Sequence, residues 1–231
     1  MPDSVPPSLC IEADAYLFDI DSTLLSALGG VQHRAFHTAV EETFAIKCSL
    51  DGIVLHGNTD TGILRAITRR EGVEDATFDA KLGTIISAMS EAVEQNRKQM
   101  WCEVMQGAEE LVQSLVGKQK LLGVASGNYE HIGWVKLEIA RLRGYFAYGT
   151  YCDRWETRTE IFQAANDEAR RRLGSSAKVC FIGDTPADIL SAQAVGAAVI
   201  AVGTGIFPTT ELAKHHPDIC VENLLGLLPV G

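Results

Sequence analysis

Acidic side chains follow an apolar run near the start of the chain. Asp19 and Asp21 stand one residue apart at the end of residues 15–20, and a hydroxyl follows at Thr23. Carboxylates this close repel each other, so a fold that brings them together usually binds a divalent cation or performs acid–base chemistry. The pattern therefore indicates a catalytic or metal site, with a solvated strand end as the alternative.

Two later apolar runs also end in reactive groups. Residues 121–125 end at Ser126, and residues 179–182 lead to Asp184, with Asp188 four residues further on. Continuous apolar runs of this length are typical of strands buried on both faces of a parallel sheet. Because ligands bind at the carboxyl ends of such strands, we expect the three ends to meet at one site.

Composition excludes some partners. The 231-residue chain is 46% hydrophobic and 22% charged, with a formal net charge of −10. An acidic chain lacks the basic patch that nucleic acids require, and it disfavours anionic membranes. We therefore expect no nucleic-acid or membrane partner, and a phosphate ester would have to be held by local donors and a cation.

Cysteine usage and the N-terminus predict a cytoplasmic protein. No C-x-x-C pair is present, so we interpret the cysteines as free thiols in a reducing compartment. Residues 1–8 resemble a loose arm rather than a signal peptide, and no apolar run approaches membrane-spanning length. The cysteines are Cys10, Cys48, Cys102, Cys152, Cys180 and Cys220.

A long helical stretch separates the first two predicted strands. Apolar residues recur at helical spacing within 31–44, 63–67, 78–93 and 108–116. A crossover between parallel strands needs only a dozen or more residues, so most of this stretch is predicted to be an inserted subdomain.

The predicted organisation is an α/β core with a cap. We assign 1–26 and 102–231 to the core and 27–101 to a helical cap, with hinges near Gly29–Gly30 and Gly107. After Ser126 helices and strands alternate, which predicts a doubly wound parallel sheet with helices on both faces.

The acidic residues suit phosphoryl transfer. Asp19, Asp21 and Asp184 would form an oxygen-rich pocket of the kind that binds Mg²⁺. A carboxylate beside Mg²⁺ can attack phosphorus, provided that donors and a cation hold the phosphoryl oxygens. Ser126 and the backbone N–H groups after it are candidate donors.

The segments resemble the four motifs of haloacid-dehalogenase-superfamily phosphatases, of the phosphoglycolate-phosphatase-like kind with a helical cap. The resemblance covers about 14–228 and implies a Rossmann-like core. The matching segments are Asp19-Ile20-Asp21-Ser22-Thr23, Ser126, Arg158 and Gly183-Asp184-Thr185-Pro186-Ala187-Asp188.

The resemblance implies a role for each matching residue. Asp19 would be the nucleophile and a metal ligand, and Asp184 a second ligand. Asp21 would protonate the leaving oxygen, then activate water, and its backbone carbonyl would bind the metal. Ser126 and Arg158 would hold the phosphoryl group. Because Asp21 is a carboxylate, phosphate-ester chemistry is favoured over dehalogenation.

Other assignments stay open at this stage. Arg154 is the alternative to Arg158, and Asp188 is either a helix cap or a supporting residue of the metal site. Ser22 replaces a glycine frequent in the family. In the cap, Arg65 is also expected to face substrate. The candidate substrate-binding residues are Thr23, Gly127, Asn128, Asn58 and Asp60.

Some of these candidates have simpler interpretations. Thr59 is a further cap residue that could face substrate. Thr23 alternatively satisfies backbone groups, and Thr59 or Asp60 alternatively starts a helix. We interpret His33, His37 and His56 as solvated cap residues.

The predicted function is Mg²⁺-dependent hydrolysis of a small phosphate monoester through an aspartyl-phosphate, with phosphoglycolate as the first candidate by resemblance only. A phosphomutase of the same superfamily is the main alternative, and a non-enzymatic phospho-receiver is a further one. The partner is a small phosphorylated metabolite; the oligomeric state is not readable from the sequence.

Overall fold

The computed structural model describes residues 12–228. The predicted arm at 1–8 and Cys10 therefore lie outside the described residues. The strands are β1 (Ala15–Phe18), β2 (Leu25–Leu28), β3 (Trp101–Val104), β4 (Leu121–Ala125), β5 (Tyr148–Thr150), β6 (Val179–Gly183), β7 (Ala198–Val202) and β8 (Ile219–Val221). The helices are α1 (Val31–Phe44), α2 (Asp60–Arg70), α3 (Asp75–Ala80), α4 (Leu82–Gln95), α5 (Ala108–Gly117), α6 (Glu130–Ile139), α7 (Arg158–Leu173), α8 (Pro186–Ala194) and α9 (Thr209–Leu212).

Six strands form one parallel sheet in the order β5-β4-β1-β6-β7-β8. In the centre, Phe18 of β1 lies opposite Val124 of β4 and Ile182 of β6. Every residue of β1 and β6 is buried, as expected for strands that are covered on both faces. The predicted α/β class with a parallel sheet is confirmed.

Helices cover both faces of this sheet. On one face, the ring of Phe162 from α7 stacks on Phe181 of β6, with the ring centroids 4.2 Å apart. On the other, Phe146 packs edge-on against Phe18 of β1 at 5.9 Å. The stack against β6 fixes the N-terminal turn of α7 beside the carboxyl end of the sheet, where Arg158 begins the helix.

The segment between β2 and β3 is helical and comprises α1 to α4. β2 and β3 pair with each other in an antiparallel ribbon at its two ends. Sequence patterns did not indicate this ribbon, because strands of 4 residues are too short to show a clear alternation. The cap limits 27–101 stay a prediction.

One predicted helix is wrong. Residues 78–93 were expected to form a single helix, but the structure divides it between α3 and α4 at Lys81. The Lys81 ammonium donates to the Thr43 carbonyl at 2.8 Å and lies over the Phe44 ring. A contact with α1 therefore holds the break, and helical periodicity cannot reveal such a contact.

Two glycines permit close backbone contacts at the ends of the ribbon. Gly29 has φ +89°, and a Cβ there would lie 2.5 Å from the Gln99 carbonyl oxygen. Gly107 has φ +83°, and a Cβ there would lie 2.3 Å from the Leu225 backbone nitrogen. Both positions therefore require glycine for backbone conformation and for space.

None of the helices in residues 12–228 is both long enough and apolar enough to span a membrane. In the same part of the chain Cys48, Cys102, Cys152 and Cys220 are free thiols, and Cys48 and Cys152 are buried.

Candidate active site

Three buried aspartates meet at the carboxyl edge of the sheet. Asp19 follows β1 and Asp184 follows β6, its neighbour in the sheet, so the topology places them side by side. Asp19 is 6% exposed and Asp184 2%. Together with Asp188 they can present oxygen atoms that lie within 4.8 Å of one another.

Arg158 is the cation that reaches these carboxylates. Its side chain lies 2.6 Å from Asp19 Oδ2 and 2.6 Å from Asp188 Oδ1. A capping box between Thr157 and Glu160 starts α7 at this point and aims the arginine at the site. The other candidate, Arg154, is exposed and borders a different depression.

Asp188 holds Arg158 and the start of α8 in place. It is completely buried; its Oδ2 accepts hydrogen bonds from the Thr185 backbone and hydroxyl at 3.0 and 2.7 Å. Its Oδ1 accepts from Arg158 Nε at 2.6 Å. Both oxygens are thus engaged, so Asp188 caps α8 and holds Arg158, and Asp19 and Asp184 are the better placed metal ligands.

The unbalanced charge fits a hard divalent cation. Burial raises the pKa of Asp19 to about 6, although Arg158 opposes this shift. Burial and the neighbouring carboxylates hold the pKa of Asp184 well above its usual range. Three buried carboxylates share one arginine, and an all-oxygen donor set is what Mg²⁺ prefers.

Thr23 and Gly205 shape the metal side of Asp184. The buried Thr23 hydroxyl donates to Asp184 Oδ1 at 3.1 Å. At Gly205 an added Cβ would lie 1.9 Å from Asp184 Oδ2, so this glycine lets the backbone approach the carboxylate. Thr23, expected to contact substrate, is instead occupied in orienting a candidate metal ligand.

Ser22 sits in a left-handed turn between the motif's second aspartate and Thr23. Its φ is +60°, which explains why glycine suits this position in the resembling family. The Thr204 hydroxyl donates to the Ser22 carbonyl at 2.5 Å and stabilises the turn.

Asp21 is oriented differently from Asp19. Its side chain is 42% exposed and faces the cavity. Asn128 Nδ2 donates to Asp21 Oδ2 at 2.7 Å and to the buried Ser126 hydroxyl oxygen at 2.9 Å. Ser126 and Asn128 therefore lie beside Asp21 at the end of β4.

Sequence reasoning missed Lys136 and Gln32. The buried Lys136 ammonium contacts both Asp21 oxygens, at 2.8 and 2.6 Å. Gln32 of α1 donates to Asn128 Oδ1 at 3.0 Å. A signal for the lysine exists: Lys136 lies four residues after the buried Ile132, on the same helical face.

The start of α2 docks on the core. The Asp60 backbone N–H donates to the Gly127 carbonyl at 2.7 Å, and Asp60 Oδ2 accepts from the Tyr129 N–H at 3.0 Å. The Gln32 amide donates to Asp60 Oδ1 at 2.9 Å. Asp60 borders the cavity, but its two oxygens are engaged in joining the cap to the core.

Arg65 corrects another expectation. It is absent from the described lining of the cavity, and it pairs with Glu156 at 2.6 Å and Asp79 at 2.7 Å. Asn58 does line the cavity, although its Nδ2 donates to the Val54 carbonyl at 3.1 Å. Arg65 is thus paired with acidic residues outside the cavity and does not face it.

A cavity of about 460 Å³ lies between cap and core. Gly127 keeps part of it open, since a Cβ there would lie 2.5 Å from the Asn58 carbonyl oxygen and 3.3 Å from Arg158 Nη1. Among the described residues that line it, the basic ones are Arg158 and the exposed His33 and His56. The rest of the cap wall includes the apolar side chains of Phe36 and Leu55, among others.

Comparison with known proteins agrees with this arrangement. The family model described as haloacid dehalogenase-like hydrolase matches residues 16–202. A search of curated proteins gave no match.

Solved structures share the fold over nearly the whole chain. A predicted phosphatase from Clostridium acetobutylicum is 18% identical, with 93% of this chain and 96% of that chain covered and a TM-score of 0.67. A predicted phosphoglycolate phosphatase from Haemophilus somnus is 14% identical, with 92% and 95% covered and a TM-score of 0.64. CbbY from Rhodobacter sphaeroides, in complex with phosphate, is 17% identical, with 94% and 99% covered and a TM-score of 0.67.

Removing the arginine should destabilise the protein in a pH-dependent way. In Arg158→Met, buried carboxylates lose their partner, which typically costs roughly 3–5 kcal/mol of unfolding free energy. Protonation relieves the repulsion, so the loss measured by urea unfolding in chelator should be larger at pH 7.5 than at pH 5. Arg154→Met, at an exposed position, is the control. An equal loss at both pH values would contradict this charge argument.

The cap anchor Asp60 should make stability fall as pH rises. Burial raises its pKa from 3.8 to about 7, so the folded state binds a proton that the unfolded state has released. This contribution is complete below about pH 4 and is lost as pH passes 7. The unfolding free energy of Asp60→Asn relative to wild type should therefore rise from pH 4 to pH 8, by on the order of a few kcal/mol.

The matched control is Asp51→Asn, which removes an exposed carboxylate from the turn between α1 and α2. Urea unfolding of both variants across this pH range provides the measurement. A difference between Asp60→Asn and wild type that does not change with pH would show that the carboxylate is not buried as described.

Proposed function

Because the chain belongs to the haloacid dehalogenase-like hydrolase family, we propose that it is a Mg²⁺-dependent phosphatase that hydrolyses a small phosphate monoester. One observation carries the proposal: Asp19, Asp184 and Arg158 are buried together at the carboxyl edge of the sheet, with Asp21 beside them. The residues proposed as nucleophile, metal ligands, phosphate-binding cation and acid thus line one cavity.

The phosphoryl group would be held by donors around Asp19. Arg158 Nη2 lies 2.6 Å from Asp19 Oδ2 yet forms no hydrogen bond of normal geometry within residues 12–228. A donor is therefore left for a phosphoryl oxygen, and the buried Ser126 hydroxyl is a second one. These groups favour attack because they stabilise the charge on the transferring group.

The reaction proposed for these residues has two steps. An Asp19 oxygen attacks phosphorus and the ester P–O bond breaks, while Asp21 gives a proton to the leaving oxygen. Asp21 then takes a proton from water, whose oxygen attacks the phosphoryl group on Asp19 and releases phosphate. Mg²⁺, held by Asp19, Asp184 and the Asp21 backbone carbonyl, would supply neutralising charge.

The cavity supports a small ester as substrate. About 460 Å³ between cap and core accommodates a metabolite, and a folded phosphoprotein would not fit beneath the cap. Phosphoglycolate, suggested by resemblance, would need a partner for its carboxylate. The exposed imidazoles of His33 and His56 are the groups available for that contact.

A phosphomutase is the second candidate within the same chemistry. It would use the same Asp19 and Asp21 but return the phosphoryl group to a substrate hydroxyl instead of water. The capped cavity is compatible with both outcomes. Release of inorganic phosphate in proportion to the alcohol formed identifies the phosphatase. A phospho-receiver would instead retain a stable phosphoryl group on Asp19 without turnover.

Replacing the nucleophile should abolish turnover. Asp19→Asn is expected to lower kcat for p-nitrophenyl phosphate by at least about 1000-fold, because the amide cannot form the phosphoenzyme. Its unfolding free energy should not fall, since one of the repelling carboxylates is gone. Hydrolysis assays and urea unfolding measure the two effects, with the exposed Asp167→Asn as the control.

Two further observations belong to this test. Rapid acid quench of the wild type should trap a phosphoryl group on the peptide that contains Asp19. Chelation should stop hydrolysis and added Mg²⁺ should restore it. Activity that survives exhaustive chelation, or a nearly normal kcat for Asp19→Asn, would refute the mechanism.

The histidines should matter only for a substrate that carries a carboxylate in addition to its phosphate group. If phosphoglycolate is the substrate, His33→Ala/His56→Ala should lower its kcat/KM by roughly 10-fold through loss of contacts to the carboxylate. Hydrolysis of p-nitrophenyl phosphate should change far less. His37→Ala, in the same helix but outside the described lining of the cavity, is the control. Equal losses for both esters would argue against carboxylate recognition by these imidazoles.

A further inference from the structure

Helix α6 carries an ammonium group that is wholly removed from water. Lys136 is 0% exposed, and its Nζ donates to Asp21 Oδ1 at 2.8 Å, to Asp21 Oδ2 at 2.6 Å and to Asn128 Oδ1 at 2.8 Å. An ammonium has three N–H donors. Each donor of Lys136 therefore has an acceptor, and two of the three acceptors belong to Asp21.

Asn128 provides a further hydrogen bond to Asp21. Its Oδ1 accepts hydrogen bonds from Lys136 and from the Gln32 amide, at 2.8 and 3.0 Å. Two donors on the oxygen side fix the orientation of the amide, so the NH₂ group must face Asp21. It donates to Asp21 Oδ2 at 2.7 Å. The carboxylate thus receives three hydrogen bonds from two residues that follow β4.

The pair is asymmetric. Lys136 is completely buried, whereas the Asp21 side chain is 42% exposed and borders the cavity. The lysine and Asn128 therefore hold the carboxylate from the protein side and leave one side open to a substrate. Such a geometry fixes where the carboxylate lies without blocking it.

Stability does not explain the buried lysine. Taking an ammonium out of water is costly, and apolar residues of similar volume often replace buried ion pairs without loss of stability. Lys136 follows the buried Val135 and lies four residues after Ile132, a position where methionine would suit the core. Its contacts are with the proposed acid and with the residue beside that acid.

We propose that Lys136 is a positioning residue that, with Asn128, holds the Asp21 carboxylate where it exchanges protons with the leaving oxygen and with water. The assignment rests on the proposed function, since it needs Asp21 as the acid. Lys136 touches neither the phosphoryl group nor Asp19 in this scheme. Its effect must therefore pass through Asp21, which makes the effect dependent on how much the leaving group needs a proton.

The test compares two esters in Lys136→Met. Glycerol phosphate has an alkoxide leaving group that requires protonation, whereas p-nitrophenolate leaves readily without it. A well-placed general acid contributes typically 10²–10⁴-fold, so partial misplacement should lower kcat/KM for glycerol phosphate by roughly 10- to 100-fold. For p-nitrophenyl phosphate the loss should stay below about 3-fold. The value of kcat/KM depends only on the steps up to phosphoryl transfer to Asp19. Slow hydrolysis of the intermediate therefore cannot hide the difference between the two esters.

Two further variants separate positioning from general damage. Lys178→Met removes an exposed lysine at the opposite edge of the sheet, and it should leave both esters unaffected. In an Asp21→Asn background, Lys136→Met should cause no further selective loss, because the residue that it positions is already absent.

The possible results are distinct. A wild type that hydrolyses neither ester refutes the proposed function, and this assignment with it. An active wild type whose Lys136→Met variant loses both esters equally, or whose losses add to those of Asp21→Asn, overturns the positioning role alone. If Lys136→Met does not fold by near-UV circular dichroism, Lys136→Arg replaces it, and the same selective or uniform loss decides.

Discussion

Buried negative charge at the carboxyl edge of the sheet is the constraint around which the site is arranged. Asp19, Asp184 and Asp188 share Arg158, and burial together with the neighbouring carboxylates raises the pKa of Asp19 and of Asp184 although Arg158 opposes the shift. The ionised nucleophile is therefore favoured only when further positive charge is present. A divalent cation would supply that charge and would favour ionised Asp19 where the phosphoryl group is proposed to bind.

The two aspartates of the first motif acquire different roles from their surroundings. Asp19 points into the buried cluster and faces Arg158, while Asp21 turns toward the cavity and is held by Lys136 and Asn128. β1 ends at Phe18, so the strand alternation that places residues two apart on one face does not apply to this pair. The chain thus places the proposed nucleophile and the proposed acid close together with separate partners, which is how carboxylates of one site take on distinct chemistry.

Sequence patterns predicted the central strands and the acidic residues of the site, but they did not predict all the residues that hold those acids in place. Apolar runs predicted the central strands, and their ends indicated Asp19 and Asp184, because both features are local in the chain. Lys136 was missed since a lysine in a helix is normally solvated. Its spacing from Ile132 places it on an apolar helical face, and the packing of α6 shows that the side chain is buried. Arg65 was misjudged because its partners, Asp79 and Glu156, lie outside its own helix, where helical periodicity gives no information.

A chain of hydrogen bonds connects the cap to the proposed acid. Asp60 and Asn128 both accept from the Gln32 amide, and Asn128 in turn contacts Lys136 and Asp21. Because Gln32 belongs to α1 and Asn128 to the core, the orientation of the Asn128 amide depends on how the cap is seated. Displacement of the cap would remove one of the two donors that fix this amide, and with it part of the grip on Asp21. The Asn128 amide therefore couples the position of the cap to the position of the proposed acid, Asp21.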